Sequence, residues 1–332
     1  MKLLIYTPSV DAKNSIFGFM VNWLNEFRKQ TDGLVVLSRE VVVDGLAPDV
    51  TAYAVGFPWF KRIINIWKYA YRERDKYDTV FIHMTPQVAI VGCVLWAFLK
   101  KPVYLWYAHG AVPLTLRIAE KCVRKIFASS PSGLRLQTPK ATFVGQGIDT
   151  DLFKPSVGQR RSELIAVSRV HPSKKYETTL GFLSRFAKKY PDDVWAYRII
   201  GTSEGYESYA EGLRVRAREL GLSDRFRING PMVRTELPEV YATATAFMST
   251  SETGSLDKVV MEALACGTPV FATGRGYQGL AGVMDLKDED ASTSKLHELL
   301  ARPTTDFAAR EGIIKDHSLP RLVRVLLGHM AV

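Results

Sequence analysis

The sequence predicts an α/β protein built from two Rossmann-like, doubly wound domains. Short β-rich runs alternate with amphipathic stretches nearly from end to end, the signature of a parallel sheet covered by helices on both faces. The alternation breaks once, at "GQGIDTDLFKPSVGQRRSE" (145–163), into glycine, proline and charge, and restarts at "LIAVSRV". The chain has 332 residues, 47% of them hydrophobic, which is enough for two cores.

In the first half, "KLLIYT", "GLVVLS", "TVFIHM", "PVYLWYAH" and "KIFASS" read as strands, with amphipathic segments at 18–30 and 113–125 between them. The second half supplies "WAYRIIG", "RFRING", "AFMST" and "PVFAT", with helices near 177–189, 206–220, 236–244 and 256–265. The expected division is a first domain over 1–155, a second over 156–314, and a last helix over 315–332 that packs back on the first domain. No G-x-G-x-x-G follows the first strand, so a dinucleotide dehydrogenase has no support.

Cys93, Cys122 and Cys266 sit in apolar, helix-like surroundings without metal-type spacing, which argues for a reducing, cytoplasmic compartment and against a disulfide framework or zinc site. "MKLLIYTPSV" lacks the basic and long apolar regions of a signal peptide, and the apolar run 88–99 is too short to span a bilayer. The net charge is +10. Residues 1–155 hold 20 Lys+Arg against 12 Asp+Glu, a net +8, so the first half carries almost all of the field that an anionic partner would feel.

Ligands of doubly wound sheets bind beyond the carboxyl ends of the strands. "SETGSLDKVVMEALACGTPV" (251–270) lies at one such end. Its helical part sets Ser255, Lys258 and Glu262 on one polar stripe, and backbone N–H groups at Gly254, Ser255 and Leu256 offer a place for an anion. A cation in a first helical turn, such as Lys258, is unfavourable unless an anion lies nearby. "VSRVHPSKK" adds Arg169 and Lys174 at a second strand end. The same residues read equally as a solvated loop and a plain helix cap; taken together, three cations and a helix start suit a diphosphate.

With these residues the chain resembles glycosyltransferase family 4, retaining sugar-nucleotide-dependent enzymes of the GT-B fold. The resemblance rests on "GQGIDTDLFKP", "SRVHPSKK", "ELGLSDRFRINGPMVRTELPEVYATATAFMSTS" and "MEALACGTPVFAT". It implies that Arg169 and Lys174 contact the donor diphosphate, that Glu262 holds the ribose, that Gly230 and Pro231 lie by the base, and that Gly18 ends a loop near donor and acceptor. It also places His109 near the transferred sugar, with His83 a weaker candidate. Ser168 and Lys175 stand where the family has glycines, and Gly254 stands where it has the first glutamate of its E-x7-E motif. Glu252 and Asp257 are then the candidates for the sugar-holding carboxylate. The expected donor is a nucleoside-diphosphate sugar used as substrate, with no cofactor, no metal and no nucleic acid. The acceptor is a glycan or lipid-linked glycan. The alternative is a catalytically silent protein that binds a nucleotide sugar or glycan; an epimerase of similar fold is disfavoured by the donor motifs.

One segment bears on the acceptor side. In "PWFKRIINIWKYAYRERDKY" (58–77), Phe60, Ile63, Ile64, Trp67 and Tyr71 form a stripe expected to pack on the sheet. Trp59, Ile66 and Tyr69 are then left on a basic rim able to touch anionic lipid, so the expectation is a cytoplasmic protein with an anionic membrane surface on the inner face as a candidate partner.

Overall fold

The structure is a computed structural model that describes residues 1–14, 16–156, 158, 160–251, 256–277 and 279–331. The chain divides into two compact units, one of Met1–Gly147 with Leu319–Val332 and one of Ile148–Ser318.

The first unit holds a seven-stranded parallel sheet of β1 (Lys2–Thr7), β2 (Gly33–Ser38), β3 (Thr51–Ala54), β4 (Thr79–His83), β5 (Val103–Trp106), β6 (Lys125–Ala128) and β7 (Ala141–Phe143). Their order is β3-β2-β1-β4-β5-β6-β7. The central β1 is apolar at almost every position because it is covered on both faces. Leu4 and Tyr6 point to the core shared with α2 (Trp59–Arg72), α3 (Pro86–Phe98) and α4 (Leu114–Cys122). Leu3 and Ile5 point to the core shared with α1 (Met20–Lys29) and the terminal helix α11 (Leu319–Met330), the two-residue alternation that a strand imposes.

The second unit holds a six-stranded parallel sheet of β8 (Arg161–Val167), β9 (Ala196–Ile200), β10 (Phe226–Asn229), β11 (Ala244–Ser249), β12 (Val270–Ala272) and β13 (Val283–Asp285). Its order is β10-β9-β8-β11-β12-β13. One face is covered by α5 (Tyr176–Lys189), α6 (Glu207–Glu219) and α9 (Glu289–Ala301). The other is covered by α7 (Leu237–Thr243), α8 (Lys258–Ala265) and α10 (Phe307–His317). In both sheets the strand order reverses beside the strand that opens the unit, at β1/β4 and at β8/β11, and such switch points open ligand crevices.

The division falls earlier than the composition of 145–163 suggests. Phe153 is fully buried in the second core, and Arg310 donates to the carbonyls of Thr150 and Phe153, so the first part of that segment is structured. The expected face of α2 is corrected. Ile66 and Ala70 are the buried residues, while Phe60, Ile64, Trp67 and Tyr71 are 60%, 62%, 38% and 50% exposed. The helix has two apolar strips, and sequence periodicity does not say which one faces the sheet. Tyr69 stacks on Tyr53 at 4.6 Å and Asn65 donates to the Val55 carbonyl, which fixes the rotation.

Candidate functional site

In the second unit, β8 ends at Val167 and delivers Ser168 and Arg169 beyond the sheet, where the arginine is exposed. Gly201, at the end of β9, is required here: a Cβ on it would lie 1.9 Å from the Ser168 carbonyl oxygen. A short 3-10 turn, Pro172–Lys174, follows, and Lys175 then adopts a left-handed conformation (φ 50°, ψ 48°) from which α5 starts. The backbone at Lys175 thus keeps the shape a glycine favours although a side chain is present. Thr250, after β11, holds this turn by donating its hydroxyl toward the carbonyls of Lys174 and Lys175 at 2.8 and 2.9 Å.

The turn aims Lys174 at the start of α8. Its Nζ lies 3.0 Å from Oδ2 of Asp257, and both side chains are mostly covered. Ser168, Lys174, Tyr176, Thr250, Ser251 and Asp257 line one small pocket at the carboxyl ends of β8 and β11. The α8 helix begins at Lys258 with Asp257 as its N-cap residue, so its first turn starts later than the 254–256 expected from sequence. Leu256 is 5% exposed, and the Asp257 N–H is taken by the Tyr277 hydroxyl at 3.0 Å. Glu252, Gly254 and Ser255 lie outside the described residues.

One turn further along α8, Glu262 is 1% exposed. Its Oε1 accepts from Arg234 Nη2 at 2.8 Å, and its Oε2 from the Tyr241 hydroxyl at 3.4 Å. Burial pushes the Lys258 ammonium down to about 7; the Glu262 carboxylate opposes this shift and the Arg234 guanidinium adds to it. Arg234 escaped the sequence reading, although it follows β10 in the same strand-end region as Gly230 and Pro231, which are both exposed. Its only signal was that position.

In the first unit, the turn at Gly18 is tight: a Cβ there would lie 2.6 and 2.7 Å from the carbonyl oxygens of Ala12 and Asn14. Phe17 and Phe19, on either side of it, meet His83 edge-on at 6.2 and 5.8 Å, and Trp23 and Trp106 complete an aromatic surround. His83 is 2% exposed and has the setting of a core histidine. His109 is exposed after β5, and its Nδ1 accepts the Ala111 N–H at 3.0 Å, which puts the ring proton on Nε2. Among the described residues, no three His, Cys, Asp or Glu side chains gather as a metal-ligand set.

Residues 148–285 match the family model described as glycosyl transferases group 1, starting where the second unit starts. The D-inositol 3-phosphate glycosyltransferase of Kribbella flavida is 30% identical over 195 residues, 53% of this chain and 45% of that protein. That of Mycobacterium avium is 32% identical over 53% of this chain and 44% of that protein. The chain spans less than half the length of these relatives. Among solved structures, Anabaena HepE in complex with UDP superposes with a TM-score of 0.78 over 100% of both chains at 16% identity, which is a likeness of fold. The second unit thus carries a glycosyl transferases group 1 match over residues 148–285, and the two parallel sheets are those of the GT-B fold.

Proposed function

We propose that this protein transfers a sugar from a nucleoside-diphosphate sugar to a hydroxyl of a glycan or lipid-linked acceptor, with retention at the anomeric carbon. The observation that carries this reading is the pairing of Lys174 with Asp257 at the junction of β8 and β11, with Arg169 exposed in the same loop. Arg169, Lys174 and Lys258 would meet the charge that grows on the departing diphosphate, the largest electrostatic demand of such a transfer. As the bond from the anomeric carbon to phosphate oxygen breaks, the acceptor oxygen bonds on the same face, and its proton passes to the leaving phosphate. With side-chain cations in that role, turnover is expected to survive a chelator. Glu262 would hold the ribose hydroxyls, Asp257 and His109 would contact the sugar, and Gly18 would border the acceptor. UDP is the base to try first, because Anabaena HepE is solved with UDP.

A thermal-shift panel of UDP-, GDP-, ADP- and dTDP-sugars tests binding, since a ligand of the native state raises apparent stability. Donor hydrolysis or transfer that is lost in Arg169→Ala and Lys174→Ala supports the enzyme. Binding without turnover over a broad acceptor panel would instead support a silent nucleotide-sugar-binding protein, and no shift with any donor would sink both.

A further inference from the structure

The carboxyl ends of β1, β2 and β3 hold two arginines that the donor site does not use. Arg39 follows β2 directly, and its Nε donates to the Pro8 carbonyl after β1 at 3.1 Å. Arg62, the fourth residue of α2, donates from Nε to the Gly56 carbonyl after β3 at 3.2 Å. Both guanidiniums lie over the Phe57 ring, Arg62 at 5.0 Å and Arg39 at 5.5 Å from its centroid, and Arg62 is 5.2 Å from the Trp59 ring as well. A stacked guanidinium turns its flat face to the ring and keeps its N–H edge for other partners. Here that edge meets no acid: among the described residues, neither arginine makes an ion pair. Glu40, beside Arg39 in the chain, accepts from the Ser9 hydroxyl at 2.9 Å.

Positive charge accumulates at this corner with nothing to offset it. The buried Tyr6 phenol is raised by burial and drawn back down by Arg62 and Arg39, so both cations act on one small region. The first turn of α2 has no side-chain cap and no acidic residue, and its amino end adds positive partial charge there. Arg62 continues the buried row of Ile66 and Ala70 at a spacing of four, so it faces the strand ends and not the outer side of the helix. Packing does not account for the pair, because Phe57 and Trp59 keep 61% and 41% of their surface exposed under the arginines. Exposed rings beside forked cations suit a sugar that bears an acid group. The C–H face of a pyranose packs on an aromatic face, and a carboxylate or phosphate takes the paired N–H groups. Strand carboxyl ends are also where a doubly wound sheet receives its ligand.

We propose that this corner of the first unit is the subsite for an acidic acceptor sugar, whose carboxylate or phosphate is forked by Arg39 and Arg62 and whose ring lies against Phe57 and Trp59. That the sugar is an acceptor rests on the transfer reading above, whereas its binding needs no donor. Ligand-observed NMR titration of the full chain with glucuronate, galacturonate and glucose 6-phosphate, against glucose and galactose, reads the subsite directly. At least one acidic sugar should bind about tenfold or more tightly than its neutral parent, the scale of a charge-assisted pair. Arg39→Gln and Arg62→Gln, which keep a donor for the Pro8 and Gly56 carbonyls, should each weaken it about tenfold. Arg39→Lys with Arg62→Lys should recover only part, because lysine keeps the charge and loses the fork. Phe57→Ala, at an exposed position, should weaken the acidic sugar and leave inorganic phosphate binding as it was. UDP, titrated on the same samples, should bind every variant as it binds wild type. Equal binding of acidic and neutral sugars, arginine variants that hold the acidic sugar like wild type, inorganic phosphate bound as tightly as glucose 6-phosphate, or binding confined to phosphatidylglycerol vesicles would each overturn the proposal. Failure of UDP alone would remove the donor reading and leave this subsite standing.

Discussion

Lys174 and Asp257 come from elements 83 residues apart and meet at 3.0 Å, the lysine from the turn after β8 and the aspartate from the cap of α8. Asp257 caps α8 through its backbone while its side chain makes no cap bond to the helix. For Lys174 to receive a diphosphate it must exchange this carboxylate for a phosphate oxygen, so Asp257 competes with the ligand. Asp257→Asn should therefore tighten UDP roughly twofold to fivefold, the scale of an ion pair worth up to about 1 kcal/mol. Transfer should slow, because the proposed sugar contact is lost. Titration calorimetry with UDP reads the first effect and turnover the second; weaker UDP binding would remove the competition argument.

Glu262 and Arg234 make a second pair whose members differ in burial, with side chains 1% and 24% exposed. Removing one partner of a buried pair leaves the other charge uncompensated, and the deeper charge costs more. Arg234→Gln strands the carboxylate and should cost about 2–3 kcal/mol, whereas Glu262→Gln leaves the more accessible guanidinium and should cost about 1–2 kcal/mol. Thermal unfolding compares the two, and the reverse order would show that Lys258 and Tyr241 already satisfy Glu262. Glu262→Gln should in addition lose nucleotide affinity, where Arg234→Gln keeps the proposed ribose ligand.

The sheets were legible because their strands are covered on both faces, so β1 and β11 appear as plain apolar runs that few other structures accommodate. Strand ends and helix spacing also put Lys174 in the turn after β8 and Glu262 on α8. The rotation of α2 was not, since Phe60-Ile64-Trp67 and Ile63-Ile66-Ala70 are both apolar strips and tertiary anchors at Tyr53 and Val55 choose between them. Nor was the start of α8. Ser255 and Asp257 both suit an N-cap, and the Tyr277 hydroxyl that takes the Asp257 N–H arrives from twenty residues downstream. Arg234 was missed because an arginine in a polar loop reads as solvated until the Glu262 carboxylate is seen beside it.

Lys258 gives the site a pH dependence with a definite sign. Its ammonium titrates near 7 in the folded chain, under burial that Glu262 partly offsets and Arg234 reinforces, against an ordinary value of 10.5. Between these values the unfolded chain binds more protons, so this group makes stability rise with pH from about 7 to 10.5. A diphosphate beside Lys258 pulls the other way by favouring the charged amine, so binding takes up a proton. UDP affinity should then fall as pH rises above 7, by at most about tenfold per unit for one proton. Calorimetry at pH 8 in buffers of different ionisation enthalpy measures the uptake. Lys258→Gln should bind UDP more weakly at pH 6.5 with a flat profile, and an unchanged profile in that variant would take Lys258 out of the diphosphate site.

The loop that carries Arg169 and Lys174 rests on two backbone positions with opposite tolerance. Lys175 adopts a left-handed conformation that costs a side chain about 1 kcal/mol relative to glycine, so Lys175→Gly should raise the melting temperature by a few degrees. Gly201 has no room at all, since a Cβ would sit 1.9 Å from the Ser168 carbonyl oxygen, and a backbone atom cannot swing aside as a side-chain end can. Gly201→Ala must therefore push the Ser168-Arg169 peptide away from β9. It should lower stability by about 2 kcal/mol or more and should weaken UDP binding by moving Arg169, even though residue 201 is not itself proposed to touch the ligand. The pair separates strain from contact. If Lys175→Gly stabilises the chain and keeps UDP affinity while Gly201→Ala loses both, the loop is held by its backbone; equal UDP affinity in all three proteins would mean that the position of Arg169 does not matter to the donor.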